Sequence, residues 1–215
     1  MPSYECAIEA ICEKCEKTFR INMTIFNSLN LDFSSSYSDN LLNNKLNRVT
    51  CPHCNVEFTY ERPFIAYSMN NKFAIMADFH CTNTVSSFGR KYIFDLFKID
   101  GMKFRIVNYL CEVSEKVRIF NAKLDDIKVE QLKVKHFGNE YFNDKSNKIL
   151  LFKEICDNEL VFHLYNDLDE VLDTFKIPYS EYEKCDYGFK CDYETNGFIN
   201  WYKIDDIYIK ENSNE

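Results

Sequence analysis

The sequence has few glycines and prolines, a deficit of positive charge and no long apolar run. Gly and Pro supply only 5 and 4 of the 215 residues, which excludes a disordered or collagen-like chain and leaves little room for linkers. No segment approaches the roughly 20 apolar residues that a membrane-spanning helix requires. The first residues have neither the basic nor the apolar region of a secretion signal. We therefore expect a cytoplasmic protein without a membrane segment.

The charge balance argues against nucleic acid as a partner. Lys and Arg number 26 against 34 for Asp and Glu, a net charge of −8 at pH 7, so the molecule repels phosphate backbones at long range. The chain also lacks a glycine-rich nucleotide loop and a His-Glu-x-x-His motif. We expect a non-enzymatic protein whose partner is another protein.

Hydrophobic periodicity predicts an α+β fold that begins with a β-rich part. Residues 4–26 alternate in polarity around the first pair of cysteines, which predicts a hairpin that enters and leaves that pair. Leu41, Leu42 and Leu46 are spaced for a short helical turn. Two further strands are predicted, at residues 56–60 and 73–77.

The remaining chain is predicted to contain helices followed by a small antiparallel sheet. A strand is expected near residues 103–110, and helices are expected at 84–97, from a cap at Ser114 to Ala122, and from a cap at Asp125 to a stop at Gly138. Asp125 and Asp126 are explained by capping and by the helix dipole rather than by catalysis. The predicted C-terminal strands cover residues 149–155, 160–165, 171–177 and 198–209. We place the domain boundary between residues 1–138 and 139–215.

Ten cysteines in a chain without a secretion signal predict reduced thiols and metal ligands rather than disulfides. Cys12-Glu-Lys-Cys15 and Cys51-Pro-His-Cys54 are two pairs separated by 35 residues. The spacing within each pair lets both sulfurs face one tetrahedral ion about 2.3 Å away. We predict one structural Zn²⁺ in a zinc-ribbon-like arrangement, with Cys12, Cys15, Cys51 and Cys54 as its ligands.

An alternative function is thiol-disulfide exchange at Cys51-Pro-His-Cys54, a tetrapeptide found in strongly oxidising thioredoxin-like proteins. In those proteins a helix follows the first cysteine, whereas the residues after Cys54 alternate as in a strand. A nucleic-acid-binding ribbon is a weaker alternative because the chain is acidic.

The other six cysteines are expected in the core, since free cysteine is among the most buried residue types. Cys185 and Cys191 are the exception, because their spacing leaves open a second metal site or a disulfide. His53 lies between two predicted ligands and is expected to point to solvent.

The two cysteine motifs resemble those of the CpXC family. The resemblance extends over about residues 6–137 and includes Arg105-Ile-Val, Glu115-Lys-Val-Arg-Ile-Phe and Leu124-Asp-Asp. It implies metal binding by the same four cysteines and supplies no known reaction. The first motif differs by having Glu13 in place of proline. Glycine often follows the second cysteine of such a turn, where positive φ is required; Asn55 tolerates this conformation, whereas Glu16 does so poorly.

Overall fold

The structure is a computed structural model that describes residues 3–33, 35–77, 101–137, 148–166 and 170–185. Within these ranges the arrangement is α+β, with mainly strands first, helices in the centre and an antiparallel sheet last. The predicted fold class is therefore confirmed. None of the helices in these ranges is long and apolar enough to cross a membrane.

Two antiparallel hairpins carry the cysteine pairs. β1 (Ser3–Ile11) pairs with β2 (Thr18–Phe26) along its whole length, and β4 (Arg48–Thr50) pairs with β5 (Glu57–Thr59). The predicted hairpin over residues 4–26 is thus confirmed. The segment between the two hairpins contains α1 (Ser35–Leu42), which contains two of the three leucines that predicted a helical turn.

A mixed four-stranded sheet lies at the centre of the fold. Its strand order is β3 (Ser28–Asn30), β6 (Phe64–Ser68), β7 (Phe73–Ala77) and β8 (Lys103–Val107). β3 pairs with β6 and β7 pairs with β8 in parallel, whereas β6 and β7 are antiparallel. Every residue of β7 is buried, because one face contributes to the main core and the other to a second apolar cluster.

Two amphipathic helices follow this sheet, α2 (Leu110–Asn121) and α3 (Asp126–Phe137). The predicted cap at Ser114 is wrong, because α2 begins one turn earlier. The carboxylate of Glu112 accepts hydrogen bonds from the backbone N–H groups of Asn108 and Tyr109 at 2.7 and 2.8 Å, which satisfies donors at the helix start. Ser114 lies in the second turn of α2, where its side chain is buried and its hydroxyl donates to the carbonyl of Leu41 at 2.6 Å.

The C-terminal sheet is an antiparallel meander of β9 (Lys148–Cys156), β10 (Glu159–Asn166) and β11 (Val171–Pro178). These strands confirm three of the four predicted C-terminal strands. Asp157 and Asn158 form the turn between β9 and β10 with φ of 50° and 64°, the left-handed conformation that these two residue types tolerate. A short helix, α4 (Tyr179–Glu183), follows β11.

The main hydrophobic core joins the central sheet, α2, α3 and the C-terminal sheet. Phe73 packs against Phe120 of α2, and Phe152 packs against Phe162 across the C-terminal sheet. The predicted boundary at residues 138/139, the helix at 84–97, Gly138 and the strand at 198–209 lie outside the described residues and stay predictions.

A network of six buried charged side chains lies where β8, α2 and α3 meet. Three are cationic and three are acidic, and none is more than 4% exposed: Arg105, Lys116, Lys133, Glu115, Asp126 and Glu130. Arg105 binds Asp126 through two hydrogen bonds of 2.5 and 2.8 Å. The charges balance within the network, as the low dielectric constant of a protein interior requires.

The two lysines connect the three carboxylates. Lys116 lies 2.8 Å from Glu130 and 3.7 Å from Asp126, and Lys133 lies 2.6 Å from Glu115 and 3.2 Å from Glu130. Asp125 caps α3 as predicted, since its carboxylate accepts the N–H of Ile127 at 2.9 Å. The capping explanation fails for Asp126, which is fully buried and ion-paired.

Substitution of Asp126 by Asn should lower the free energy of unfolding by about 3–5 kcal/mol, because it leaves the buried Arg105 without a counter-charge. Burial raises the pKa of Asp126, but the charges of Arg105 and Lys116 prevail and hold it below its usual range. The ionised carboxylate therefore stabilises the fold above the unfolded pKa of about 4. The difference between wild type and variant should shrink as the pH falls below that value.

Urea unfolding of both proteins at several pH values measures this effect. Asp125→Asn is the matched control, because asparagine is an equally good cap and the change should cost less than about 0.5 kcal/mol. Equal free energies of unfolding for Asp126→Asn and Asp125→Asn would contradict the assignment of Asp126 as the counter-charge of Arg105.

Candidate metal centre

Four cysteine sulfurs converge at the tips of the two hairpins. The Sγ atoms of Cys12, Cys15, Cys51 and Cys54 all lie within 4.8 Å of one another. Across the two hairpins, Cys12 lies 3.5 Å from Cys54 and Cys15 lies 3.7 Å from Cys51. All four predicted ligands are therefore brought together, and the group could hold one metal ion.

The two cysteine turns have the same backbone conformation. The N–H of Glu16 donates to the carbonyl of Cys12 at 2.7 Å, and the N–H of Asn55 donates to the carbonyl of Cys51 at 2.9 Å. Both Glu16 and Asn55 have φ of 58°. Glu16 thus adopts the left-handed conformation for which glutamate is poorly suited, since the turn must direct both sulfurs to one side.

The first cysteine of each pair is the deeper one. Cys12 and Cys51 are both 0% exposed, whereas Cys15 and Cys54 are half-buried. The backbone N–H of His53 donates to the sulfur of Cys51 at 3.4 Å, a contact that stabilises negative charge on sulfur.

The thiols differ in acidity when no cation is bound. Burial raises the pKa of Cys51, but the N–H groups of His53 and Cys54 outweigh it and lower this pKa to about 7. The N–H of Val56 lowers the pKa of Cys54, yet burial and the neighbouring sulfurs together raise it to about 11. Four thiolates at this separation repel one another, so their joint ionisation requires a cation among them.

Apolar side chains enclose the cluster. Phe19 of β2 makes edge contacts with Phe58 and with the His53 ring, each at a centroid distance of 6.4 Å. Val49 and Ile8 belong to the same buried group. His53 is exposed, as predicted. The shell fixes the hairpins against each other and excludes water from the two inner sulfurs.

Asn47 joins the two hairpins at their other end, a role that the sequence did not indicate. Its side chain accepts the N–H of Phe26 at 2.9 Å and donates to the carbonyl of Phe26 at 3.2 Å. The carbonyl of Asn47 accepts the N–H of Tyr60 at 2.7 Å. Asn47 is 4% exposed and has φ of 52°. Asparagine tolerates this left-handed conformation, and that tolerance is the only feature of the sequence that points to its role here.

The other cysteines differ in burial, whereas the sequence predicted that they lie in the core. Cys156 is exposed at the end of β9, so the expectation of burial is wrong for this residue. Cys185 is half-buried and packs against the main core. Cys191 lies outside the described residues, and a second site formed by these two stays a prediction.

Two like turns that face each other across four sulfurs define a four-cysteine candidate metal site. The chain belongs to the CpXC family: the family profile, described as CpXC protein, matches residues 10–133. This range contains all four cysteines and the whole buried charge network, and it confirms the resemblance seen in the sequence. No curated protein and no solved structure is significantly similar to the chain.

Replacing Glu16 by Gly should raise the free energy of unfolding by about 0.5–1 kcal/mol, because relief of the left-handed strain exceeds the added entropy of the unfolded chain. Thermal and urea unfolding measure the change. Glu16→Ala is the matched control, since it removes the same charge but keeps a Cβ atom. If the glycine and alanine variants are equally stable, the strain assignment is wrong.

Proposed function

We propose that this protein binds one Zn²⁺ through Cys12, Cys15, Cys51 and Cys54, and that the ion holds the two hairpins together as a zinc ribbon. A tetrahedral ion with Zn–S bonds of about 2.3 Å places its sulfurs about 3.8 Å apart. The two cross-hairpin distances of 3.5 and 3.7 Å lie close to this value. This agreement is the observation that carries the proposal, and the all-sulfur donor set favours zinc over harder cations.

The role of this ion is structural and the protein is not an enzyme. Four protein ligands fill a tetrahedral coordination sphere and leave no position for a reactive water. The two inner sulfurs are also inaccessible to solvent. Reduced, metal-bound thiolates suit a reducing compartment, and we place the protein in the cytoplasm for this reason.

Thiol-disulfide exchange at Cys51 is the second candidate, favoured by the lowered pKa of that thiol. The local structure supports it less well. Thioredoxin-like sites place the reactive thiol at the start of a helix, whereas Cys54 is followed by strand β5. Cys51 is also 0% exposed, which hinders attack on a substrate disulfide.

The purified reduced protein should contain one zinc per chain. Cys51→Ser should abolish stoichiometric binding and lower the free energy of unfolding by about 3–4 kcal/mol, the stabilisation expected from a ligand present at 100 to 1,000 times its Kd. Elemental analysis, native mass spectrometry and thermal unfolding measure these quantities. Cys156→Ser is the control, because that exposed thiol lies outside the cluster and its loss should change neither metal content nor stability.

A zinc content well below one per chain, together with an unchanged melting temperature in Cys51→Ser, would refute the metal proposal. Turnover of a dithiol substrate by the zinc-free protein that Cys51→Ser alone abolishes would instead favour the redox candidate.

We also propose that the C-terminal sheet presents the surface that binds a protein partner. Among the described residues, β11 is hydrogen-bonded to a neighbour on one side only. Val171 and Leu172 are 50% and 47% exposed at its start. An edge strand with exposed apolar residues suits pairing with an extended segment of another protein.

Leu172→Asp should weaken partner binding by about 2 kcal/mol, the cost of losing a central apolar contact. Cross-linking in host lysate, followed by mass spectrometry, compares the proteins captured by wild type and variant. Ile11→Asp is the control, since it changes an equally apolar residue that is 64% exposed on β1. Capture of the same proteins by Leu172→Asp as by wild type would argue against this surface.

A further inference from the structure

A cleft of about 490 Å³ lies between the second hairpin, the chain after α1, helix α2 and the C-terminal sheet. Its size falls in the range of small-molecule sites. None of the four clustered cysteines lines it, so the cleft is separate from the metal centre. Its lining includes Lys45, Arg48, Glu57, Glu115, Arg118 and Lys153.

Arg118 and Lys153 form a cationic pair in this cleft. The guanidinium of Arg118 donates to the carbonyl of Leu42 and, at 3.4 Å, to the carbonyl of Lys153. These two backbone contacts hold it in place without neutralising its charge. Among the described residues no carboxylate forms an ion pair with either Arg118 or Lys153. Burial and the charge of Arg118 lower the pKa of Lys153, and they outweigh the exposed carboxylate of Glu154, which raises it.

Two acidic residues are found among the described residues of the lining, and each already has a cationic partner. Glu115 binds the ammonium of Lys133 at 2.6 Å and accepts the backbone N–H of Phe152 at 2.6 Å. Glu57 lies 3.9 Å from Arg48. Among the described residues of the lining, four cations stand against these two acids, an excess of positive charge in a chain whose net charge is −8. Glu154 offsets only part of this effect, since the pKa values of both Arg118 and Lys153 remain lowered. An anion bound between the two cations would therefore be favourable.

We propose that this cleft binds a small organic anion whose carboxylate or phosphate group lies between Arg118 and Lys153. A guanidinium and an ammonium together offer the directed and the compact donors that bind such oxyanions. Leu42, Leu151 and Tyr165 line the same space and contact the nonpolar part of the ligand. The site goes beyond the proposed metal-binding function and does not depend on it.

Cys111 also lines the cleft and is half-buried, so its alkylation reports occupancy. The full-length protein, as purified, is treated with iodoacetamide, and modification is quantified by peptide mass spectrometry. Inorganic phosphate or succinate at ten times its Kd should slow modification of Cys111 about tenfold, because only the unbound fraction reacts. Cys156 is exposed on β9 and should react at an unchanged rate. Protection by phosphate alone assigns a phosphate ligand, and protection by succinate alone assigns a carboxylate.

Lys153→Gln should raise the Kd of the protecting anion about tenfold or more, since it removes a hydrogen bond between charged groups. Arg118→Gln should do the same, and Lys153→Gln serves by itself if loss of the Arg118 contacts prevents folding. Arg20→Gln is the control, because that side chain is 82% exposed on β2. Three results would overturn the proposal: no protection by either anion, equal protection by sodium chloride of matched ionic strength, or undiminished protection in Lys153→Gln.

Discussion

Four sulfur atoms on two separate hairpins lie close enough together to bind a single ion, and the geometry of the N-terminal part depends on this convergence. The turns that present the sulfurs are separated by 35 residues, so bringing them together costs chain entropy that grows only slowly with loop length. Asn47 joins the same hairpins at the opposite end. In our proposal zinc supplies the attraction at the tips, and folding of the ribbon and metal binding become one process.

The molecule balances buried charge in two different ways. At the hairpin tips four thiols face one another, and an external cation is needed before they can all ionise. Between β8, α2 and α3, three cationic and three acidic side chains balance one another without any ligand. Both arrangements lie within residues 10–133, the range shared with the CpXC family. The anion cleft would be a third case, in which Arg118 and Lys153 acquire their counter-charge from a ligand.

Features with local causes could be predicted from the sequence. The hairpin around Cys12 follows from partial alternation in polarity, and the convergence of the four cysteines follows from the two-residue spacer within each pair. The turn at Asp157 and Asn158 follows from the backbone preference of these residue types. The burial of Asp126 could not be predicted, because the same acidic pair is a plausible cap and the distinction depends on Arg105, 21 residues earlier. The sequence also predicted the wrong start for α2. The backbone N–H at the helix start is satisfied by Glu112 inside the helix, whereas Ser114 was predicted to be the cap.

X-ray absorption at the zinc edge of the purified, reduced protein tests the central claim most directly, because it reports the number, type and distance of the atoms bound to the metal. Our account predicts one shell of four sulfur atoms at about 2.3 Å and no nitrogen or oxygen ligand. A shell that contains nitrogen or oxygen, or fewer than four sulfur atoms in protein with one zinc per chain, would contradict it.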